Sequence, residues 1–230
     1  MLVAVAYEAR ALRRRLARSG DAHKSALTVR TVGVGATGLD EIQSCLAVER
    51  PAAVLVTGVG GGLAPEILPG DLVVAREVGP AAGGGWLVPD FRLVERALAA
   101  AGEAGIRARS DRLLTVPRVL AGPEAKAEAW RRHAALAVDM ESTPVLAWAA
   151  RLGLPALAVR AVADGPGETL PSALAQAVGA GGAVRPGAVL GWMGRPDLVV
   201  AGWRLWRRSR LALDRLGTFL VTFTRHPFDL

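Results

Sequence analysis

The feature that most constrains this chain is a series of short apolar runs with no polar alternation, spaced by stretches of helical periodicity. Ala53 to Val56 is one such run, and Ala156 to Ala163 is another, interrupted only by Arg160. Strands covered on both faces read this way, whereas half-exposed strands alternate apolar and polar residues. Leu2 to Ala6, Leu27 to Val34, Asp71 to Arg76 and Leu113 to Val116 read as further strands. Between them, helices are predicted over Glu8 to Ser19, with Leu12 and Leu16 on one face, and over Leu39 to Arg50. More are expected over Asp90 to Ala104, with Asp90 as N-cap, over Glu124 to His133, and from the Asp139 segment to Leu152. Strand and helix in alternation predict an α/β fold with a largely parallel sheet.

After Pro171 the texture changes. Residues 1–177 are expected to form the α/β core, 178–197 a Gly/Pro-rich connector, and 198–230 an amphipathic basic helix with its tail. On a helical wheel Leu205, Trp206, Leu213, Leu216, Phe219 and Leu220 fall on one side, and Arg204, Arg207, Arg208, Arg210 and Arg215 on the other. The chain of 230 residues carries a formal net charge of +7, concentrated at Arg13-Arg14-Arg15 and between Arg195 and Arg215. Such a balance favours anionic partners, nucleic acid or a lipid surface. No nucleic-acid reading module accompanies these arginines, so nucleic acid is the weaker reading.

Cys45 is the single cysteine, which excludes a disulfide framework and a multi-cysteine metal site and fits a reducing cytoplasm. His23, His133 and His226 lack metal-ligand spacing, so no metal is expected. The longest apolar stretch, Val145 to Ala163, is broken by Arg151, Pro155 and Arg160, and no membrane span is predicted. Met1 to Ala6 is too short for the core of a signal peptide.

Two acids stand out. Val138-Asp139-Met140-Glu141-Ser142 sets a carboxylate and a thioether where a helix starts, and Asp164 closes the apolar strand Val159 to Ala163. Active sites of α/β folds lie at the carboxyl ends of strands. One acid there can hold a sugar while the other protonates a leaving group. Taken singly, Asp164 also reads as a turn cap, Glu141 and Asp139 as first-turn acids favoured by the helix dipole, and Met140 as core filler. Gly33-Val34-Gly35-Ala36-Thr37-Gly38 matches G-x-G-x-x-G, but the next strand ends in Val56-Thr57 with no acid for a ribose, which counts against a dinucleotide. Backbone amides approaching an anion or sugar, or a plain tight turn, are the two remaining readings. Gly58 to Gly62 directly follows a buried strand and lets a flat ligand lie against bare backbone; a strained turn packed against a neighbouring strand is the competing reading.

Four segments in register, Thr57 to Leu63, Pro69 to Val74, Val138 to Ser142 and Val159 to Asp164, resemble the nucleoside phosphorylase and nucleosidase superfamily, which includes methylthioadenosine/S-adenosylhomocysteine nucleosidases. The resemblance spans roughly Met1 to Asp164. It implies a three-layer α/β/α fold with a mixed, largely parallel sheet, cleavage of an N-ribosidic bond, and homo-oligomerisation. It assigns Asp164 as the acid that protonates the purine at N7, Glu141 as the acceptor from the ribose hydroxyls, and Met140 as the side chain packed on the ribose. Gly60 and Gly61 match the backbone lining the base and sugar, and Val119 and Leu120 the segment flanking the base. Glu8 stands near the family's water-activating glutamate, and Gly35 and Arg10 near its phosphate or water pocket. No cofactor is implied beyond inorganic phosphate as co-substrate. Val59 stands where the family often has Ser, Thr or Ala, and the strand before the glycine run lacks the arginine that phosphorylases use for phosphate. Water and phosphate therefore both stand as nucleophile.

The arginine-tryptophan helix makes the chain most similar to the hopanoid-associated phosphorylase branch. That similarity implies release of adenine from lipid-linked adenosylhopane by an enzyme lying peripherally, through residues 198–221, on the cytoplasmic side of a membrane. Packing of the same helix on its own domain or on a second subunit is the competing reading. A soluble methylthioadenosine or futalosine hydrolase, or a nucleoside-binding membrane module without turnover, are the functional alternatives.

Overall fold

The computed structural model describes residues 1–18, 27–49, 51–170 and 196–225. The strands are β1 (Leu2–Val3), β2 (Arg30–Thr31), β3 (Val54–Gly62), β4 (Leu72–Pro80), β5 (Ala108–Thr115), β6 (Ala137–Asp139) and β7 (Ala156–Asp164). The helices are α1 (Ala6–Arg18), α2 (Leu39–Glu49), α3 (Phe91–Glu103), α4 (Pro123–His133), α5 (Ser142–Arg151) and α6 (Pro196–Phe223). The Gly/Pro-rich connector lies outside the described residues up to Arg195.

The sheet runs β2-β1-β3-β6-β5-β4-β7, and β3 also pairs with β7. Five of the seven pairings are parallel; β3–β6 and β4–β7 are antiparallel. The double role of β3 makes this possible. Its first eight residues, Val54 to Gly61, lie parallel to β7, and its last two, Gly61 and Gly62, pair with Val138 and Ala137 of β6, so Gly61 is paired on both sides. The strands β3, β7, β4, β5 and β6 thus close on one another, with β1 and β2 as a parallel extension.

Alternation along β7 explains its unbroken apolar run. Leu157, Val159 and Ala161 pack with α1, α3 and α6 in one core, while Ala156, Ala158 and Val162 pack with α2 and α5 in the other. Arg160 falls on the α2/α5 side and is wholly buried. Asp90 caps α3 as expected, its Oδ1 accepting from the amides of Arg92 (2.9 Å) and Leu93 (3.1 Å).

Two sequence expectations are corrected. The glycine run Gly58 to Gly62 does not come after the strand but forms the second half of β3. The apolar face of the C-terminal helix is also shorter than the wheel suggests. Leu213, Leu216, Phe219 and Leu220 are buried against α1, α3 and β7, but Trp206, at the same wheel position as Leu213, is 53% exposed. Among the side chains described on α6, from residue 202 onward, burial begins at Ala212, so the wheel holds only from there on. None of the described helices is long and apolar enough to cross a membrane.

Candidate active site

The site forms around Arg160. An uncompensated guanidinium inside a sheet costs several kcal/mol, so its position is stable only with carboxylates on it. Asp139, at the end of β6, supplies the first: its Oδ2 accepts from Arg160 Nε at 2.7 Å and lies 2.6 Å from Nη2. Oδ2 also accepts from the amide of Ser142 (3.1 Å) and from its hydroxyl, while Oδ1 accepts from Thr115 Oγ1 (2.8 Å). Asp139 is thus fully engaged in fixing the guanidinium and the start of α5.

Glu141, just before α5, takes Arg160 Nη2 on Oε2 at 3.2 Å and the backbone amide of Gly35 on Oε1 at 3.1 Å. The glycine turn therefore does bring an amide to an anion, and the anion is a side chain of the protein itself. Burial pushes the Glu141 carboxyl up; Arg160 opposes this and Asp139 adds to it.

Glu8 approaches from the other side. It opens the buried stripe of α1 that continues through Leu12, four residues on, and so points inward. Its Oε1 accepts from the Val59 amide at 3.1 Å, and burial raises its pKa to about 7 against the opposing pull of Arg160. Arg10, two residues further along α1 and about 200° around it, is exposed.

Glu8 Oε2 and Arg160 Nη1 are both buried and without a hydrogen-bond partner among the described residues. Both converge on Gly58: a Cβ placed there would stand 2.8 Å from Oε2 and 2.7 Å from Nη1. Gly58 has φ +151°, so bare backbone and unusual geometry coincide where a cation and an acid face one spot. Buried polar atoms are almost always satisfied, and two orphans at one point mark a place for a small polar reactant.

Asp164 pairs with Gly61 across β3 and β7, its oxygens 3.4 and 3.6 Å from where a Gly61 Cβ would be. The same strand pair therefore presents Arg160 beside Gly58 and Asp164 beside Gly61. Asp164 is buried against Lys126, whose ammonium donates to its Oδ2. Burial raises the Asp164 carboxyl, with Lys126 and then Arg208 pulling the other way.

Met140 and Leu120 pack on one cluster with Leu63, Leu114, Val116 and Val138, next to the Gly60–Val138 contact, whereas Val119 is exposed. Reasoning from the sequence missed Asp139 and Lys126 as site residues, and reached Arg160 only as one of three arginines, with Arg10 and Arg30, that could serve a phosphate. Arg160 had a usable signal: an arginine inside an otherwise apolar, doubly covered strand must have buried partners.

A sequence comparison with curated proteins finds no match. Among solved structures, the 5′-methylthioadenosine/S-adenosylhomocysteine nucleosidase of Neisseria meningitidis, in complex with methylthio-immucillin-A, superposes with a TM-score of 0.69 at 17% identity, covering 97% of each chain. The futalosine hydrolase of Helicobacter pylori does so with a TM-score of 0.65 at 16% identity, covering 95% of each. The methylthioadenosine/S-adenosylhomocysteine nucleosidase of Campylobacter jejuni gives 0.64 at 15%, covering 95% of this chain and 96% of that one. At these identities the likeness establishes a shared fold. The family model of the phosphorylase superfamily matches residues 6–191, and on that match the chain belongs to the phosphorylase superfamily.

Proposed function

We propose that the protein cleaves the N-ribosidic bond of a purine nucleoside with water as the attacking group. The observation that carries this reading is the convergence of Glu8 Oε2 and Arg160 Nη1, both unpartnered, over Gly58. A water held between them is oriented by the guanidinium and deprotonated by Glu8, whose pKa of about 7 suits a general base at neutral pH. The water oxygen bonds to C1′ of the ribose as the bond to the base breaks, and the bonding pair leaves with the base. Asp164 gives a proton to N7 and neutralises the departing purine, while Glu141 accepts from the ribose hydroxyls. The positive charge developing on the sugar thus lies near carboxylates and the negative charge on the base near an acid.

Water is favoured over phosphate by the charge of the site. Glu8, Glu141 and Asp139 surround a single guanidinium already shared by two of them, which is a poor seat for a dianion. This separates the protein in nucleophile, not in the bond cleaved, from the phosphorylase branch that its sequence resembles.

For the substrate we propose adenosylhopane, the lipid-linked nucleoside. Supporting this is the free part of α6, where Trp203 and Trp206 are 55% and 53% exposed and carry Arg207 and Arg210 stacked 4.9 Å over their rings. Aromatic rings interleaved with arginines suit an interface of anionic lipid headgroups. The test is to incubate the purified full chain with adenosylhopane, methylthioadenosine and futalosine, with and without phosphate, while following free base. Adenine release from adenosylhopane, independent of phosphate and nearly abolished by Asp164→Asn, is expected. Unchanged turnover in that variant removes Asp164 from its role, and phosphate dependence removes water.

A further inference from the structure

Lys126 is only 1% exposed, although it sits in a helix whose sequence, Pro123 to His133, reads as solvated. Its Nζ donates to Asp164 Oδ2, to the Gly165 carbonyl (2.8 Å) and to the Glu168 carbonyl (3.2 Å). An ammonium has three protons and no acceptor capacity, so three acceptors satisfy it completely. A neutral amine would leave one of them facing a lone pair. Asp164 Oδ2 is thereby committed, while Oδ1 accepts no hydrogen bond among the described residues; both oxygens lie against Gly61, Oδ2 at 3.4 Å and Oδ1 at 3.6 Å from where its Cβ would be. The loop is held from a second direction as well, since Glu168 Oε2 is paired with Arg208 of α6.

We propose that Lys126 is the positioning residue of Asp164: it anchors one carboxyl oxygen and the following loop so that the other oxygen is the atom presented to the purine. This rests on Asp164 being the acid that protonates the base. As the N-ribosidic bond breaks, the proton on Oδ1 passes to N7, and the negative charge left on the carboxylate develops against the Lys126 ammonium, which keeps its own protons. The lysine makes a buried acid willing to give up a proton that burial alone would make it retain. Among the described residues, the other charge acting on Asp164 is Arg208 on α6, which is itself paired with Glu168 of the same loop.

The test measures kcat and KM against pH for Lys126→Met, Lys126→Gln and Lys126→Arg in the full chain, with Asp164→Asn in parallel. Removing the ammonium should move the alkaline limb of the kcat profile, where the acid loses its proton, upward by about 1–3 on the pH scale. It should also lower the plateau by roughly a hundredfold through misplacement, with KM little changed. Lys126→Gln keeps donors without charge and carries the same test should the Met variant fail to fold. Lys126→Arg should restore the limb. A limb that stays put in the neutral variants, or a loss confined to KM, overturns the role of Lys126 while Asp164 stands. An active Asp164→Asn instead overturns the assignment of the acid, whatever Lys126 does.

Discussion

Glu8→Gln separates function from stability in opposite directions. The Glu8 carboxyl is raised from 4.5 to about 7, mainly because burial disfavours its charged form. Each tenfold change in proton affinity corresponds to about 1.4 kcal/mol, so the folded protein holds this proton more tightly than the unfolded chain by about 3 kcal/mol. The folded pKa is the raised one, so that contribution is complete below about pH 4.5 and disappears as pH rises through about 7. Above neutrality the wild type carries a buried carboxylate without this proton. Glutamine is neutral at every pH and keeps a carbonyl oxygen for the Val59 amide. Glu8→Gln should therefore be more stable than wild type at pH 8 by up to about 3 kcal/mol and about equal at pH 5. For a chain of this size that is a Tm gap of up to about 10 °C opening between the two pH values. Over the same range its kcat should fall about a hundred- to ten-thousandfold, the usual contribution of a general base. Thermal melts of both proteins from pH 4.5 to 8.5, with base release at each pH, decide the matter. Parallel melting curves would remove the buried titration, and full turnover in the variant would remove Glu8 from the reaction.

Gly58→Ala places a methyl group 2.7 Å from Arg160 Nη1 and 2.8 Å from Glu8 Oε2 at φ +151°. It should cost about 1–3 kcal/mol in a thermal melt and lower kcat by roughly a hundredfold; wild-type turnover would show that the two groups do not work at that point. Replacing both Trp203 and Trp206 with Ser should leave turnover of methylthioadenosine or futalosine, if present, unaltered and reduce co-sedimentation with anionic liposomes. Equal pelleting of the two proteins would detach the exposed end of α6 from any lipid surface.

What was legible in the sequence was what local pattern determines. The apolar run ending in Asp164 is a doubly covered strand whose acid lies at its carboxyl end, and Asp90 caps its helix. What was not legible depended on contacts distant in sequence. Glycines ordinarily weaken a strand, so the strand reads as ending before Gly58. The glycine run is strand because β6 and Arg160 approach so closely that a Cβ at Gly60 would stand 2.9 Å from the Val138 carbonyl and 3.3 Å from the Arg160 Cβ. Lys126 is flanked by the charges of a solvated helix, and only the loop from Gly165 to Glu168, some forty residues away, makes it internal. Asp139 passes for a helix-dipole acid until Arg160 and Thr115 are seen on either side of it.

The arrangement of charge is itself an argument for chemistry at this place. Arg160, Asp139 and Glu141 lie in the interior between β6, β7 and α5. Replacing a buried ionic cluster by well-packed apolar residues is often neutral, or stabilising by about 1–4 kcal/mol. An apolar residue at 160 would fit the parity of β7, where Ala158 and Val162 already point into the same core. Stability therefore gives no reason to keep a guanidinium there. Nor does it explain why one of its nitrogens faces a carboxylate oxygen across a glycine, both lacking a partner, when a single Cβ would fill the space. A cluster that ties two carboxylates to one face of the arginine and leaves the remaining nitrogen open beside a titrating acid is organised around something that binds between them.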